Sequence, residues 1–159
     1  MVAIYMQNKK CKNRDSLAKN PSKCRDFVEI LKKDYPEFRF VSGKKFAFRP
    51  PRTIVVGPVE DGFSLLLLHE LGHALLGHKD FRVDIVRLKM EVQAWEQARE
   101  LANKYCVEFD DELMESELDT YRDWLHRKSA CPRCGLTRFQ AADKKYRCPQ
   151  CDLIEHIGC

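Results

Sequence analysis

The segment SLLLLHELGHALLGH, residues 64–78, constrains the fold of this chain more than any other. Apolar residues surround two histidines and a glutamate on nearly all sides, which is typical of a mostly buried helix. Buried imidazole and carboxylate groups are costly unless a partner satisfies them. On an α-helix His69 and His73 lie on one face, one turn apart, so both rings can reach one ion. The segment therefore predicts a buried helix that carries metal-binding side chains.

Glu70 completes the pattern His-Glu-x-x-His. It lies about 100° round the helix from His69, where its carboxylate can approach a water beside the ion without being a ligand. Two neutral nitrogen ligands and a carboxylate that accepts a proton are the groups that a zinc hydrolase needs. We expect His69 and His73 to bind zinc and Glu70 to be the general base. Two surface histidines beside a glutamate would give the same pattern, but they do not explain the apolar surroundings.

A catalytic zinc usually has three protein ligands, and the helix predicted from Asp84 to about Cys106 offers three glutamates. At about 100° per residue, Glu91 lies in the middle of the apolar face of this helix. Glu96 and Glu100 lie about 140° and 180° away among polar residues, and we expect both in solvent. Because a carboxylate on a buried face needs a partner, Glu91 is the predicted third ligand and Glu96 is the alternative.

His78 follows the motif closely and is the less favoured candidate for a ligand. It comes nine residues after His69, about 180° round a continued helix. The pattern in which a glycine turn returns a third histidine has different spacing. We therefore interpret His78 as a histidine at the helix end, with Gly77 as the stop signal. Gly72 lowers the helix propensity, and one use for this glycine is close approach by a neighbouring strand.

The segment LLHELGHALLGH and the downstream MEVQAWEQARELA resemble the ImmA/IrrE family of metallopeptidases, over roughly residues 25–106. That family has His-Glu-Leu-Gly-His followed by Glu-x-x-Ala. The resemblance implies zinc bound by His69, His73 and Glu91, with Glu70 as general base. It also implies an α+β, zincin-like fold with a small sheet beside the active-site helix, and cleavage of a regulatory protein such as a repressor. The chain departs from the family in showing no helix-turn-helix domain and in its cysteine-rich tail.

Two Cys-x-x-Cys pairs, CPRCG and CPQCD, are separated by thirteen residues near the end of the sequence. This spacing is typical of a tetrahedral zinc site with four thiolates. The segment between the pairs predicts two strands and a turn. About thirty residues cannot fold by apolar burial alone, so we predict a zinc ribbon over residues 129–159 with a structural zinc. The four predicted ligands are Cys131, Cys134, Cys148 and Cys151.

Charge is distributed unevenly along the chain. Residues 1–59 carry 14 basic and 5 acidic side chains, residues 60–126 carry 7 and 16, and residues 127–159 carry 7 and 3. Basic ends can attract nucleic acid, although lysine-rich surfaces are commonly only solvated. Basic and aromatic side chains of the ribbon would suit single-stranded nucleic acid, a docked protein substrate or a stabilising contact with the rest of the chain. These side chains are Arg138, Phe139, Lys144, Lys145, Tyr146 and Arg147.

The remaining patterns predict an α+β chain in three parts. These are a basic, mobile N-terminal segment (1–20), a metallopeptidase domain (21–128) and the ribbon (129–159). Four helices are predicted, beginning near Asn20 or Ser22, at Asp61, at Asp84 and at Asp110 or Asp111, with short strands between the first two helices. No apolar run approaches the ~18 residues of a membrane span, and the start lacks the order of a secretory signal. We therefore expect a cytoplasmic protein without a membrane partner.

These patterns favour a zinc-dependent metalloendopeptidase that cleaves an intracellular, regulatory protein and contains one catalytic and one structural zinc. The alternative is a non-catalytic module, stabilised by both zincs, that binds protein or nucleic acid. Glu70 favours the enzyme, because a purely structural site has no use for a general base. The strands within residues 45–56 are candidates for a sheet edge along which a substrate strand binds.

Overall fold

The computed structural model describes residues 21–151 and the backbone of 154–155. The predicted mobile segment 1–20 lies outside the described residues. The described chain is α+β, as predicted. Its helices are α1 (Pro21–Asp34), α2 (Phe63–Leu75), α3 (Asp84–Tyr105) and α4 (Asp111–Ser129). Its strands are β1 (Arg39–Ser42), β2 (Ala47–Arg49), β3 (Thr53–Val56), β4 (Phe139–Gln140), β5 (Tyr146–Arg147) and β6 (Ile154–Glu155).

Within the described part of the chain, none of the helices has the length and apolar character needed to cross a membrane.

Strands β1, β2 and β3 form a small sheet in the order β1-β3-β2. Strands β2 and β3 form a hairpin and pair antiparallel, with Phe48 opposite Ile54. β1 pairs parallel with β3, with Phe40 opposite Ile54. The centre of the sheet is therefore apolar, and Ile54 is fully buried. Among the strands that the structure describes, β2 is at one edge of this sheet.

Glycines lie on either side of helix α2. Gly62, with φ of 79°, is the N-cap residue, so the predicted cap at Asp61 is wrong for this position. Gly77, with φ of 65°, follows the helix, as predicted for a stop signal. A positive φ is accessible to glycine at little cost, which explains both positions. Leu75 and Leu76 in the last turn are 38% and 43% exposed, so the burial all round the helix does not extend to its end.

Helices α2 and α3 approach each other closely at Gly72. A Cβ atom at Gly72 would lie 2.7 Å from the carbonyl oxygen of Ala94. The close neighbour is therefore a helix and not the strand that we expected. Small residues on α3 permit this approach, since Ala94, Ala98 and Ala102 are all fully buried. The contact fixes the distance between the two helices that carry the candidate site.

The C-terminal segment packs on the start of α3 through the buried carboxylate of Asp84. The Asp84 Oδ2 atom accepts a hydrogen bond from the Tyr146 hydroxyl at 3.0 Å and lies 2.8 Å from Lys128 Nζ. The Asp84 backbone N–H donates to Gln140 Oε1 at 2.6 Å. Strands β4, β5 and β6 form a second antiparallel sheet. The ribbon segment is thus joined to α3 by polar contacts as well as by the chain from α4.

Candidate metal centre

Three predicted ligands meet at one point between α2 and α3. The Nε2 atoms of His69 and His73 are 3.1 Å apart. Glu91 Oε2 lies 3.2 Å from each of these nitrogens. The three atoms form a nearly equilateral triangle, and this group could hold a metal ion. We call it the His/Glu triangle.

The dimensions and chemistry of the His/Glu triangle suit zinc. Ligands at about 2.0–2.1 Å in a tetrahedral arrangement lie about 3.3 Å from one another, close to the observed separations. Two imidazole nitrogens and one carboxylate oxygen are ligand types that zinc accepts, and three of them leave the fourth position open. The two ring nitrogens and the carboxylate oxygen all lie close enough to direct lone pairs at one point. A cation at that point would interact with all three atoms, whereas a single proton can bridge only two of them.

Helix periodicity explains which glutamate reaches the triangle. Glu91 is only 6% exposed, whereas Glu96 and Glu100 lie on the exposed face of α3. Burial by itself would raise the pKa of Glu91, but hydrogen bonds with His69 and His73 lower it to about 2. The carboxylate is therefore charged at neutral pH. Burial lowers the pKa of His69, so its ring is held neutral, as a metal ligand requires.

Glu70 lies beside the triangle without belonging to it. Burial raises the pKa of its carboxyl group to about 7, although His73 and a hydrogen bond from the Phe48 backbone N–H act in the opposite direction. The Phe48 contact comes from β2, so the edge of the sheet touches the residue predicted as general base. A carboxyl group with this pKa can both accept and release a proton near neutral pH.

A cavity of about 430 Å³ opens beside the His/Glu triangle. Its walls come from β2, from both ligand-bearing helices, from the loop after α2 and from α4. The residues most relevant to chemistry among those that line it are Phe48, Glu70, His78, Arg87, Glu91 and Tyr121. The triangle and Glu70 are therefore accessible to a molecule of the size of a few residues of a peptide.

Tyr121 and Arg87 are cavity residues whose roles the sequence did not reveal. The Tyr121 side chain hydrogen-bonds with Glu91 and Arg87, and burial raises its pKa to about 12, so the phenol keeps its proton. The Arg87 guanidinium lies 5.1 Å from the centroid of the Tyr121 ring and 5.2 Å from that of Trp124. The sequence of α4 places Tyr121 on one apolar side with Leu118 and Trp124, and nothing local indicates where its hydroxyl points.

His78 lies next to the triangle, closer than its predicted position on a continued helix. The helix ends at Leu75, and Gly77 reverses the chain so that the His78 backbone N–H bonds to the His73 carbonyl at 3.0 Å. The His78 Nδ1 atom then lies 2.8 Å from His73 Nδ1. His78 thus contacts a candidate ligand from behind, and its ring is not among the three atoms of the triangle.

The four predicted ribbon cysteines also converge. Their Sγ atoms lie within 4.8 Å of one another and could bind a metal ion. The Gly135 backbone N–H bonds to the Cys131 carbonyl at 2.8 Å, and Gly135 has φ of 75°. Burial raises the pKa of the Cys148 thiol, but the backbone N–H groups of Gln150 and Cys151 lower it to about 7 overall. The N–H groups of this turn therefore favour the thiolate form of Cys148, whereas the neighbouring thiol groups Cys134 and Cys148 raise the pKa of Cys151 to about 12.

The predicted basic and aromatic surface of the ribbon is smaller than expected. Arg138 and Tyr146 are buried, at 7% and 2% exposed, so neither is available to a nucleic acid. Arg138 donates to the Lys128 carbonyl at 3.0 Å, and Tyr146 donates to Asp84. Arg147 pairs with Asp143 at 2.7 Å. Phe139, at 55% exposed, keeps its predicted position on the surface. Arg138 and Tyr146 instead face the rest of the protein, because an aromatic ring that could stack on a base can equally pack against other side chains.

Comparisons of this chain with protein-family models, with curated proteins and with solved structures find no match.

Proposed function

We propose that this protein is a zinc-dependent metalloendopeptidase that hydrolyses peptide bonds of an intracellular, regulatory protein. The observation that carries the proposal is the position of Glu70. Its carboxylate borders the same cavity as the His/Glu triangle, is tuned by burial to a pKa of about 7, and is not one of the three converging atoms. A structural metal site needs the three ligands but has no use for this fourth group.

His69, His73 and Glu91 would hold the zinc, and the four ribbon cysteines would hold a second, structural zinc. Zinc in a three-ligand site supplies Lewis acidity, which polarises a carbonyl and acidifies a water. Glu70 then accepts the proton of the attacking water and delivers it to the leaving amine, since its pKa lies near the working pH. The Phe48 backbone N–H orients the Glu70 carboxylate for this transfer.

The cavity also suits an extended peptide. β2 is an edge strand, and its residues Phe46, Ala47 and Phe48 line the cavity. A substrate segment that pairs with such an edge gains backbone hydrogen bonds that do not depend on its sequence. The single proton of the Tyr121 hydroxyl is donated to Glu91 in this structure, and when substrate binds the hydroxyl would turn and donate it to the oxygen that becomes negative during attack. The resemblance to the ImmA/IrrE family supports both the zincin-like fold and a regulatory protein as substrate.

Replacement of Glu70 by Gln tests the proposal. The zinc-loaded wild type and the Glu70→Gln variant are incubated with a mixture of denatured proteins, and new peptide termini are identified by mass spectrometry. We expect the wild type to generate new termini and the variant to lose this activity by a factor of ~10² or more. Glu96→Gln, on the exposed face of α3, is the matched control and should behave as the wild type.

Zinc content and thermal unfolding are measured on the same samples, because both should be unchanged in Glu70→Gln. Cleavage that continues unchanged in this variant comes from another source and overturns the proposal. Absence of cleavage by the wild type on this mixture and on cell-derived native proteins, with both zincs bound, would favour the non-catalytic binding module.

A further inference from the structure

The contact between His78 and His73 is specific in geometry. Two backbone hydrogen bonds close the turn after α2, from Gly77 N–H to the Ala74 carbonyl at 3.1 Å and from His78 N–H to the His73 carbonyl at 3.0 Å. This is the pairing of a Schellman motif, which requires the positive φ that Gly77 adopts. The turn places the half-buried His78 ring against His73, with their Nδ1 atoms 2.8 Å apart.

Two nitrogens at this distance share one proton, so one ring donates and the other accepts. The Nε2 atom of His73 belongs to the His/Glu triangle and must offer its lone pair to a metal. A neutral His73 then carries its proton on Nδ1 and donates it to His78. His78 accepts at Nδ1 and carries its own proton on Nε2. The side chain of Gln93 is hydrogen-bonded to His78 and completes the chain of donors and acceptors.

We propose that His78, oriented by Gln93, is a positioning residue that fixes the tautomer and the ring orientation of His73 for metal binding. The inference rests on the metal-binding part of the proposed function and not on proteolysis. Metal-binding histidines commonly donate their second ring N–H to an acceptor, and loss of that acceptor weakens metal binding by about 10- to 100-fold.

The other histidine of the triangle provides a contrast. His69 Nδ1 is buried and has no hydrogen-bond partner in the described part of the chain. The His69 ring is instead held by packing on Trp95, with ring centroids 4.4 Å apart. The structure therefore orients one ligand by a hydrogen bond and the other by an aromatic contact. His78 matters for His73 alone.

The test compares four proteins: wild type, His78→Leu, His78→Gln and His126→Leu. Leu removes the acceptor, Gln returns an acceptor oxygen, and His126 is an exposed histidine on α4 that serves as the control. Zinc affinity of the His/Glu triangle is measured by competition with a chromophoric chelator after the cysteine site has been filled. We expect His78→Leu to bind zinc about 10- to 100-fold more weakly and His78→Gln to recover most of this loss. His126→Leu should match the wild type.

Nitrogen NMR of the imidazole rings gives a second measurement that a merely structural role would not change. In the zinc-loaded wild type and in His78→Gln, the proton on His73 Nδ1 should give a signal that is shifted downfield and slow to exchange, because an acceptor holds it. In His78→Leu this hydrogen bond is absent, and the signal should move upfield or be lost to exchange. Wild-type zinc affinity in His78→Leu, or a His73 Nδ1–H signal unchanged from the wild type, would overturn the inference. If His78→Leu fails to fold, Gln93→Leu on the exposed side of α3 decides, because it breaks the same chain and should also weaken zinc binding.

The outcomes separate this inference from the proposed function. If zinc affinity depends on His78 but the protein cleaves nothing, the role of His78 is supported and the peptidase function is contradicted. If the protein cleaves peptides but its zinc affinity does not depend on His78, the peptidase function is supported and the role of His78 is contradicted.

Discussion

Gly72 of α2 lies directly against the backbone of Ala94 of α3, so close that an added Cβ atom would be 2.7 Å from the Ala94 carbonyl oxygen. His73 follows Gly72 in sequence, and Ala94 lies one turn after Glu91. The contact therefore sets the separation of the two helices at the height of the His/Glu triangle.

Gly72→Ala should destabilise the protein even though alanine is the better helix former. The gain in helix propensity is at most ~1 kcal/mol, whereas forcing a methyl group against backbone costs about 1–3 kcal/mol. Chemical denaturation should report a lower free energy of unfolding, and zinc affinity of the triangle should fall as the helices separate. Ser116→Ala, at an exposed position of α4, is the control and should be neutral or slightly stabilising. A stabilised Gly72→Ala would show that the helices separate at no cost.

Two zinc ions should bind per chain, at independent sites. His69→Ala should lose one ion and keep the ribbon metal, while Cys148→Ser should lose the other, because the two ligand sets share no residue. Elemental analysis after removal of loosely bound metal gives the stoichiometry. A value of one in the intact protein would eliminate one of the two sites, and the two variants would identify which.

Zinc binding at the triangle should release a proton from Glu70. With a pKa of about 7 in the metal-free protein, Glu70 is protonated in about half of the molecules at pH 7, and a nearby divalent cation favours the charged form. Calorimetric titration in buffers of different ionisation enthalpy counts the released protons. The wild type should release about half a proton more than Glu70→Gln at pH 7. The difference should vanish near pH 9, where Glu70 is already charged. Equal release at pH 7 would contradict the raised pKa.

Tyr121→Phe should lower the rate of peptide hydrolysis with little change in KM. Removing one donor to a developing oxyanion typically costs on the order of 10²-fold in kcat. Tyr35→Phe, whose hydroxyl lies beside Lys104 at the other end of α3, is the control and should leave the rate unchanged. If Tyr121→Phe instead loses zinc, the hydroxyl acts by holding Glu91 and not on the substrate.

Asp84→Ala should loosen the ribbon segment from the rest of the protein. The substitution removes the buried carboxylate that contacts both Lys128 and Tyr146. The two remaining polar groups lose their partner, so the free energy of unfolding should fall by about 1–3 kcal/mol. Hydrogen exchange should increase in β4, β5 and the first turn of α3. Asp143→Ala, which removes an exposed pair with Arg147 and an exposed hydrogen bond from the Lys145 backbone N–H, should lower stability less than Asp84→Ala. Unchanged exchange in Asp84→Ala would mean that other contacts hold the ribbon.

Helical and knuckle geometry are local, and the sequence alone was enough to predict them. Residues four apart lie on one face of any α-helix, so His69 and His73 could be paired before the fold was known. The same periodicity placed Glu91 on the buried face of α3 and Glu96 on the exposed one. The two Cys-x-x-Cys spacings likewise indicated convergence of four sulfurs. The helix stop at Gly77 was also predicted, because the residue after a helix end often has a positive φ, which glycine adopts at little cost.

The direction of side chains between elements was decided only by the tertiary structure. Periodicity placed His78 opposite the ligands, but the chain reverses at Gly77 and brings its ring back to His73. Tyr121 belongs to an apolar face by pattern, yet its hydroxyl reaches Glu91 across α3 and α4. Arg138 and Tyr146 have the composition of a nucleic-acid surface, yet they pack inward against Lys128 and Asp84. Each of these contacts joins residues of different elements or lies beyond a turn. Such contacts depend on how whole helices and strands pack, and no local pattern along the chain contains that information.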